Sequence, residues 1–126
     1  MPAVDTNVLV RLMVRDDERQ VAAAQRFIES GVWVSSIVLA EMAWVLKSVY
    51  RLDRDAVALA VEMLLENPTV TLQEDDVVVA ALERYRVTPS VGFSDCLVLE
   101  IARKEGHLPL GTFDRKLSRL EGTERL

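Results

Sequence analysis

Short apolar segments alternate with helical stretches along this sequence. A strand followed by a parallel neighbour needs a crossover connection, and a helix usually supplies it. The alternation therefore predicts an α/β fold built on a parallel sheet. The predicted strands are Ala3–Val4, Val32–Val34, Val70–Leu72 and Leu108–Leu110, with a possible fifth near Glu124–Leu126.

Polar residues mark the starts of the predicted helices. Asp17 is a favoured N-cap, and Gln20 stands at the third helical position after it. Ser35 or Ser36 and Asp53 or Asp55 begin two later helices in the same way. The predicted helices are Asn7–Met13, Val21–Glu29, Ile37–Tyr50, one from Asp53 or Asp55 to Asn67, Asp76–Arg86, Asp95–Glu105 capped by Ser94, and Arg115–Leu120.

Length and composition fit a single domain over residues 1–126, since half of the residues are hydrophobic. No apolar run reaches the roughly 18 residues that suggest a membrane span, and we see no secretion signal. Cys96 is the only cysteine, so a cytoplasmic location is the simplest expectation. The net charge of -5 argues against binding of nucleic acid by bulk charge alone. It leaves room for a nuclease whose acids bind metal ions.

Four acidic residues are candidates for one site. Asp5 and Asp114 each follow a predicted strand, and ligands of parallel sheets bind beyond the carboxyl ends of strands. Asp95 lies in the first turn of its predicted helix and can face the same edge. Glu41 is the only charge between Ser36 and Lys47, in a helix that is apolar nearly all round. We therefore expect Glu41 to be buried or in an interface, with a partner, a metal ion or a proton.

Carboxylates of this kind suit hard divalent cations. Mg²⁺ prefers oxygen ligands, and bound ions polarise a phosphodiester and lower the pKa of a bound water. Each acid also has an ordinary interpretation. Asp5, Asp95 and Asp114 can cap or stabilise helix starts, and Glu41 can pair with an arginine or lysine.

The residues around the acids resemble one family. The segments DTNVL, SSIVLAEMAWVL, FSDCLVLEIARKEG and LGTFDRKLSRL, in this order, closely resemble the PIN domain, and within it the VapC-type toxins of bacterial toxin–antitoxin pairs. The resemblance implies a three-layer α/β/α fold with a central parallel sheet of four to five strands. It also implies an endoribonuclease that uses one or two Mg²⁺ or Mn²⁺ ions. The family's acids map onto Asp5, Glu41, Asp95 and Asp114, and its small polar residues map onto Thr6, Asn7, Thr112 and Ser36.

The resemblance also implies partners. RNA would be the substrate, and a cognate antitoxin would block the site. Arg115 and Lys116 follow Asp114 and are candidates for phosphate contacts. The apolar segments Ile37–Tyr50 and Ala56–Leu65 predict a helical homodimer face.

Two other functions fit parts of the pattern. A non-catalytic RNA- or protein-binding module could use the same fold, although we would expect it to lack at least one of the four acids. A Mg²⁺-dependent phosphoryl-transfer or receiver-like domain also places an aspartate after a strand. Asn7 occupies the place where a haloacid-dehalogenase pattern needs a second aspartate, and we cannot place the set of a receiver domain, which is an acid pair before its aspartate and a lysine after a late strand.

Overall fold

The computed structural model describes all residues 1–126. The chain forms two compact units, Met1–Asp75 and Asp76–Leu126. In the first unit, strands alternate with helices as the sequence predicts. Its elements are α1 (Thr6–Val14), α2 (Glu18–Ile28), β1 (Val32–Val34), α3 (Ser36–Ser48), α4 (Arg54–Glu66) and β2 (Val70–Leu72).

The strands of the first unit pair in parallel. β1 lies beside β2, with Val32 opposite Val70 and Val34 opposite Leu72. The predicted first strand is reduced to one parallel bridge, between Ala3 and Trp33. Val32 and Val34 are fully buried, whereas Trp33 between them is 37% exposed. This alternation is that of a strand with one face on the core.

The helix starts of the first unit are those that the sequence predicts. The side chain of Asp17 accepts a hydrogen bond from the Gln20 amide at 3.1 Å. The Ser35 hydroxyl accepts from Val38 N at 3.2 Å, and Asp53 accepts from Ala56 N at 2.8 Å. Each bond satisfies one backbone N–H group that the first helical turn leaves without a partner.

The second unit contains two longer helices followed by two short strands. Its elements are α5, which begins at the unit boundary (Asp75–Val87), α6 (Phe93–Glu105), β3 (Leu110–Thr112), a 3₁₀ turn (Leu117–Arg119) and β4 (Thr123–Arg125). β3 and β4 pair in parallel, with Leu110 opposite Thr123. The chain thus forms two parallel strand pairs, one in each unit. Parallel pairing and the alternation of strands with helices confirm the predicted α/β class.

Three predicted boundaries in this unit are wrong. β3 begins two residues later than predicted, since Pro109 has no N–H group to donate and the first ladder bond runs from Leu110 N to Gly122 O at 2.8 Å. Ser94 does not cap α6: the helix begins at Phe93, and Gly92 is its N-cap without a side-chain hydrogen bond. The last predicted helix is only the 3₁₀ turn. None of the helices is both long and apolar enough to cross a membrane.

Candidate functional site

Asp5 lies at the start of α1 and acts as its N-cap. Its Oδ1 atom accepts a hydrogen bond from the Val8 amide at 3.2 Å. Its Oδ2 atom accepts none. The next residue, Thr6, is buried, whereas Asn7 is exposed. Asp5 is therefore a helix cap that keeps one carboxylate oxygen for another partner.

Glu41 lies on the exposed face of α3. The expectation was that Glu41 is buried or in an interface, and burial within this chain is wrong. The alternative that Glu41 pairs with an arginine or lysine is also wrong, since the side chain forms no ion pair. The physical reason is that α3 packs only one face against the core, through Leu39, Met42, Ala43 and Leu46. Ile37 and Trp44 are 79% and 61% exposed. Glu41 therefore shares the solvent-facing side of α3 with Ile37 and Trp44, whereas its neighbours Met42 and Ala43 are buried.

Asp95 and Asp114 interact within the second unit. Asp95 is half-buried in the first turn of α6. Burial raises the pKa of Asp95, and the negative charge of Asp114 raises it further. The structure thus brings these two predicted site residues close enough for their charges to interact.

Asp114 is held by backbone contacts on both sides. Its Oδ1 atom accepts hydrogen bonds from Lys116 N and Leu117 N, both at 2.8 Å. Its own amide donates to the Thr112 hydroxyl at 3.0 Å. As in Asp5, the Oδ2 atom accepts no hydrogen bond. Thr112 therefore positions the loop that carries Asp114. Arg115 and Lys116, predicted to contact RNA, are exposed beside it.

The four acids are divided evenly between the units. Asp5 and Glu41 belong to Met1–Asp75, and Asp95 and Asp114 belong to Asp76–Leu126. Neither unit by itself contains three or more His, Cys, Asp or Glu side chains arranged to hold a metal ion. The donors that each unit offers are carboxylates, the ligands that hard divalent cations prefer.

Sequence reasoning missed the one acid of this chain that is buried. Glu100 on α6 is 7% exposed. Its Oε2 lies 3.2 Å from Arg103 Nε, and its Oε1 lies 3.8 Å from Arg84 Nε. Arg103 also donates to Glu121 O at 2.8 Å. The three-residue spacing of Glu100 and Arg103 was a signal for one of these pairs, whereas nothing in the local sequence pointed to Arg84. These contacts make Glu100 a structural acid.

Comparison with known proteins identifies the family. The PIN domain model matches residues 3–122. Among solved structures, the chain is similar to the crystal structure of Mycobacterium tuberculosis VapC20, described as a sarcin-ricin loop cleaving toxin. The two share 21% identity over 98% of this chain and 97% of that chain, with a TM-score of 0.45. No curated protein matches the sequence. Since the family match spans nearly all of its residues, the chain belongs to the PIN-domain family, a family of nucleases.

Proposed function

We propose that this protein is a single-domain, metal-dependent endoribonuclease and the toxin of a VapBC-type toxin–antitoxin pair. The observation that carries the proposal is the Asp95–Asp114 pair. Burial, and after it the negative charge of Asp114, raise the pKa of Asp95, so its ionised form is disfavoured unless a cation is near. Such pairs are typical of functional sites. Their positions also match those of the acids in the family motifs.

The proposed ligands are Asp5, Glu41, Asp95 and Asp114. Asp5 and Asp114 each keep an Oδ2 atom without a hydrogen bond, and Mg²⁺ and Mn²⁺ both accept carboxylate oxygens. One or two ions would supply positive charge to the phosphodiester and would acidify an attacking water.

The polar neighbours of the acids have supporting roles in this proposal. The Thr112 hydroxyl fixes the backbone at Asp114. Thr6 packs at the start of α1 beside Asp5, and Asn7 presents an exposed amide there. Arg115 and Lys116 would contact RNA phosphates, since both are exposed and adjoin Asp114.

The proposed protein partners are an antitoxin and a second copy of the chain. The exposed face of α3 carries Ile37 and Trp44, and α4 adds Leu59 and Met63, which are 55% and 52% exposed. Such an apolar surface is unusual for a small monomer and suits a symmetric dimer.

RNA cleavage with and without metal tests the nuclease proposal. Wild-type protein and Asp5→Asn would be assayed in Mg²⁺ or Mn²⁺ and again with a chelator. We expect cleavage only by wild-type protein with metal. Equal cleavage in all conditions would contradict the mechanism and indicate a contaminating nuclease. RNA binding without any cleavage would favour the non-catalytic binding module.

A thermal measurement tests the metal site without relying on activity. Metal that binds the folded chain raises its melting temperature by linkage, and we expect a smaller rise for Asp5→Asn. Asparagine is also a good N-cap, so the variant keeps the start of α1. Identical shifts in both proteins would exclude Asp5 as a ligand.

A further inference from the structure

Two adjoining hollows lie on the surface of the first unit, the first lined by α1 and α2 and the second by α2 together with Pro2 and Ser30. The first has a volume of about 460 Å³ and the second about 370 Å³. Both are lined by Ala23 and Phe27 of α2. Asn7, Arg11 and Gln20 contribute polar groups to the first hollow, and Arg26 contributes to the second. We refer to the two together as the α1–α2 groove.

The sequence of α2 explains the groove. Gln20, Ala23 and Phe27 are three and four residues apart, so they share one face of the helix. Alanine at the middle position fills little of the space beside α1. Phe27 is 49% exposed, which leaves much of its ring open to solvent. Asn7 lies in the first turn of α1, two residues after the cap Asp5, so the groove begins near a proposed catalytic acid.

The charges that line the groove are all positive. The chain has 20 acidic and 15 basic residues, yet the charged side chains in the two hollows are Arg11 and Arg26. Arg11 is held by Asp16 at 2.7 Å and by the Tyr50 hydroxyl at 3.3 Å. Arg26 forms no ion pair. Arg26 is thus the cation of the groove that is free to bind an anion.

We propose that the α1–α2 groove binds an unpaired nucleotide of the RNA substrate, with the base against Phe27 and a phosphate near Arg26. The proposal rests on the proposed ribonuclease function. Proteins that bind single-stranded nucleic acid without sequence preference stack the bases on exposed aromatic rings and contact the phosphates with nearby cations. The first hollow has the size of a small-ligand pocket. The unpaired Arg26 disfavours a basic peptide, and the Asn7 and Gln20 amides offer hydrogen bonds to a base.

Binding of matched oligonucleotides tests the proposal. The probes are a fluorescent phosphorothioate RNA of about twelve nucleotides and an abasic strand with the same backbone, both in Mg²⁺ and checked for integrity. We expect Phe27→Leu to bind the RNA about tenfold more weakly and the abasic strand as well as wild type does. Phe27→Tyr keeps an aromatic ring and is expected to bind like wild type.

The arginine variants test the phosphate contact separately. Arg26→Gln is expected to weaken binding of both probes and to reduce the salt dependence by about 0.7 in slope, the value for one phosphate of a single strand. Arg19→Gln is the matched control, because Arg19 lies on α2, is exposed, and lines neither hollow. It is expected to behave like wild type.

Several results would overturn the proposal that the groove binds a nucleotide. One is that Phe27→Leu affects both probes equally, or neither. Another is that Arg26→Gln and Arg19→Gln are indistinguishable. A third is that Phe27→Leu alters only self-association in sedimentation, which would make the groove a protein contact. If the protein cleaves RNA but Phe27→Leu does not weaken RNA binding more than binding of the abasic strand, only the proposal that the groove binds a nucleotide is refuted. If Phe27→Leu weakens binding of the RNA alone but the wild-type protein cleaves no RNA, only the proposed nuclease activity is refuted.

Discussion

Glu41 and Glu100 lie near the middle of two 13-residue helices, α3 and α6, but their surroundings are opposite. Glu41 is isolated from other charges in the sequence, yet it is exposed. Glu100 has charged neighbours in the sequence, yet it is buried between Arg84 and Arg103. The comparison teaches that burial of an acid depends on which helix face packs and on partners from other elements. Isolation among apolar residues is a poor guide to it.

The largest expected effect is on catalysis, and it should separate the two glutamates. Glu41→Gln is expected to lower RNA cleavage about 100-fold or more, since even groups outside the ligand shell of a metal affect activity up to that extent. The melting temperature without metal should hardly change, because Glu41 is exposed. Cleavage rates and thermal melts measure both. Full activity of Glu41→Gln would remove this residue from the proposed site.

The next largest effect is on stability, and here substitution of Glu100 should have the larger effect and substitution of Glu41 the smaller one. Glu100→Ala is expected to lower the free energy of unfolding by about 3 kcal/mol, the lower end for removing one partner of a buried ion pair. The lower end applies because Arg84 and Arg103 keep 33% and 34% of their side chains exposed and can be hydrated. Urea unfolding measures the change. Glu41→Ala is the matched control, with an expected change within about 0.5 kcal/mol. Equal losses in both variants would contradict the comparison.

The exposed apolar residues beside Glu41 should matter for assembly. Trp44→Glu is expected to weaken self-association about tenfold or more, because buried tryptophans are often the strongest contacts of an interface. Sedimentation at several concentrations measures this effect. Val79→Glu on α5 is a control, since Val79 is also an exposed apolar residue of a helix. A wild-type protein that stays monomeric at high concentration would exclude the dimer.

The smallest expected effect is at Asp95. Its folded-state pKa lies above the ordinary value of 3.8, so the folded chain binds this proton more tightly than the unfolded chain does. Ionisation of Asp95 therefore costs stability as the pH rises through the raised pKa. In chelator, Asp95→Asn is expected to be slightly more stable than wild type at pH 7, and the difference should vanish towards pH 3. A less stable variant at pH 7 would mean that Asp95 mainly stabilises the start of α6.

Local signals in the sequence predicted much of the fold. Asp17, Ser35 and Asp53 cap helices as expected because an N-cap depends on residues only three positions away. β1 and β2 were also predicted at their observed bounds. The wrong boundaries arise where neighbouring residues compete for the same role, such as the N-cap of a helix. Ser94 was a plausible cap, but α6 had already begun at Phe93.

The candidate site was predictable to a smaller extent. The cap role of Asp5 and the turn contacts of Asp114 follow from local sequence, and the structure adds that each keeps one oxygen without a hydrogen bond. The raised pKa of Asp95 depends on Asp114, which is distant in sequence, so only the fold could reveal it. The exposure of Glu41 and the ion pairs of Glu100 likewise depend on tertiary packing. The joint role of the four acids stays a prediction.

The one-sided use of the carboxylates at Asp5 and Asp114 has a practical consequence. Asparagine retains a carbonyl oxygen that can accept the same backbone amides, so either substitution removes the charge and preserves the helix start or turn. Alanine at either position would remove the charge and also the oxygen atom that accepts the backbone amides. Under the proposed function, Asp5→Asn and Asp114→Asn are therefore the suitable choices for a folded, inactive protein with which to capture an uncut transcript or to express the chain safely in living cells.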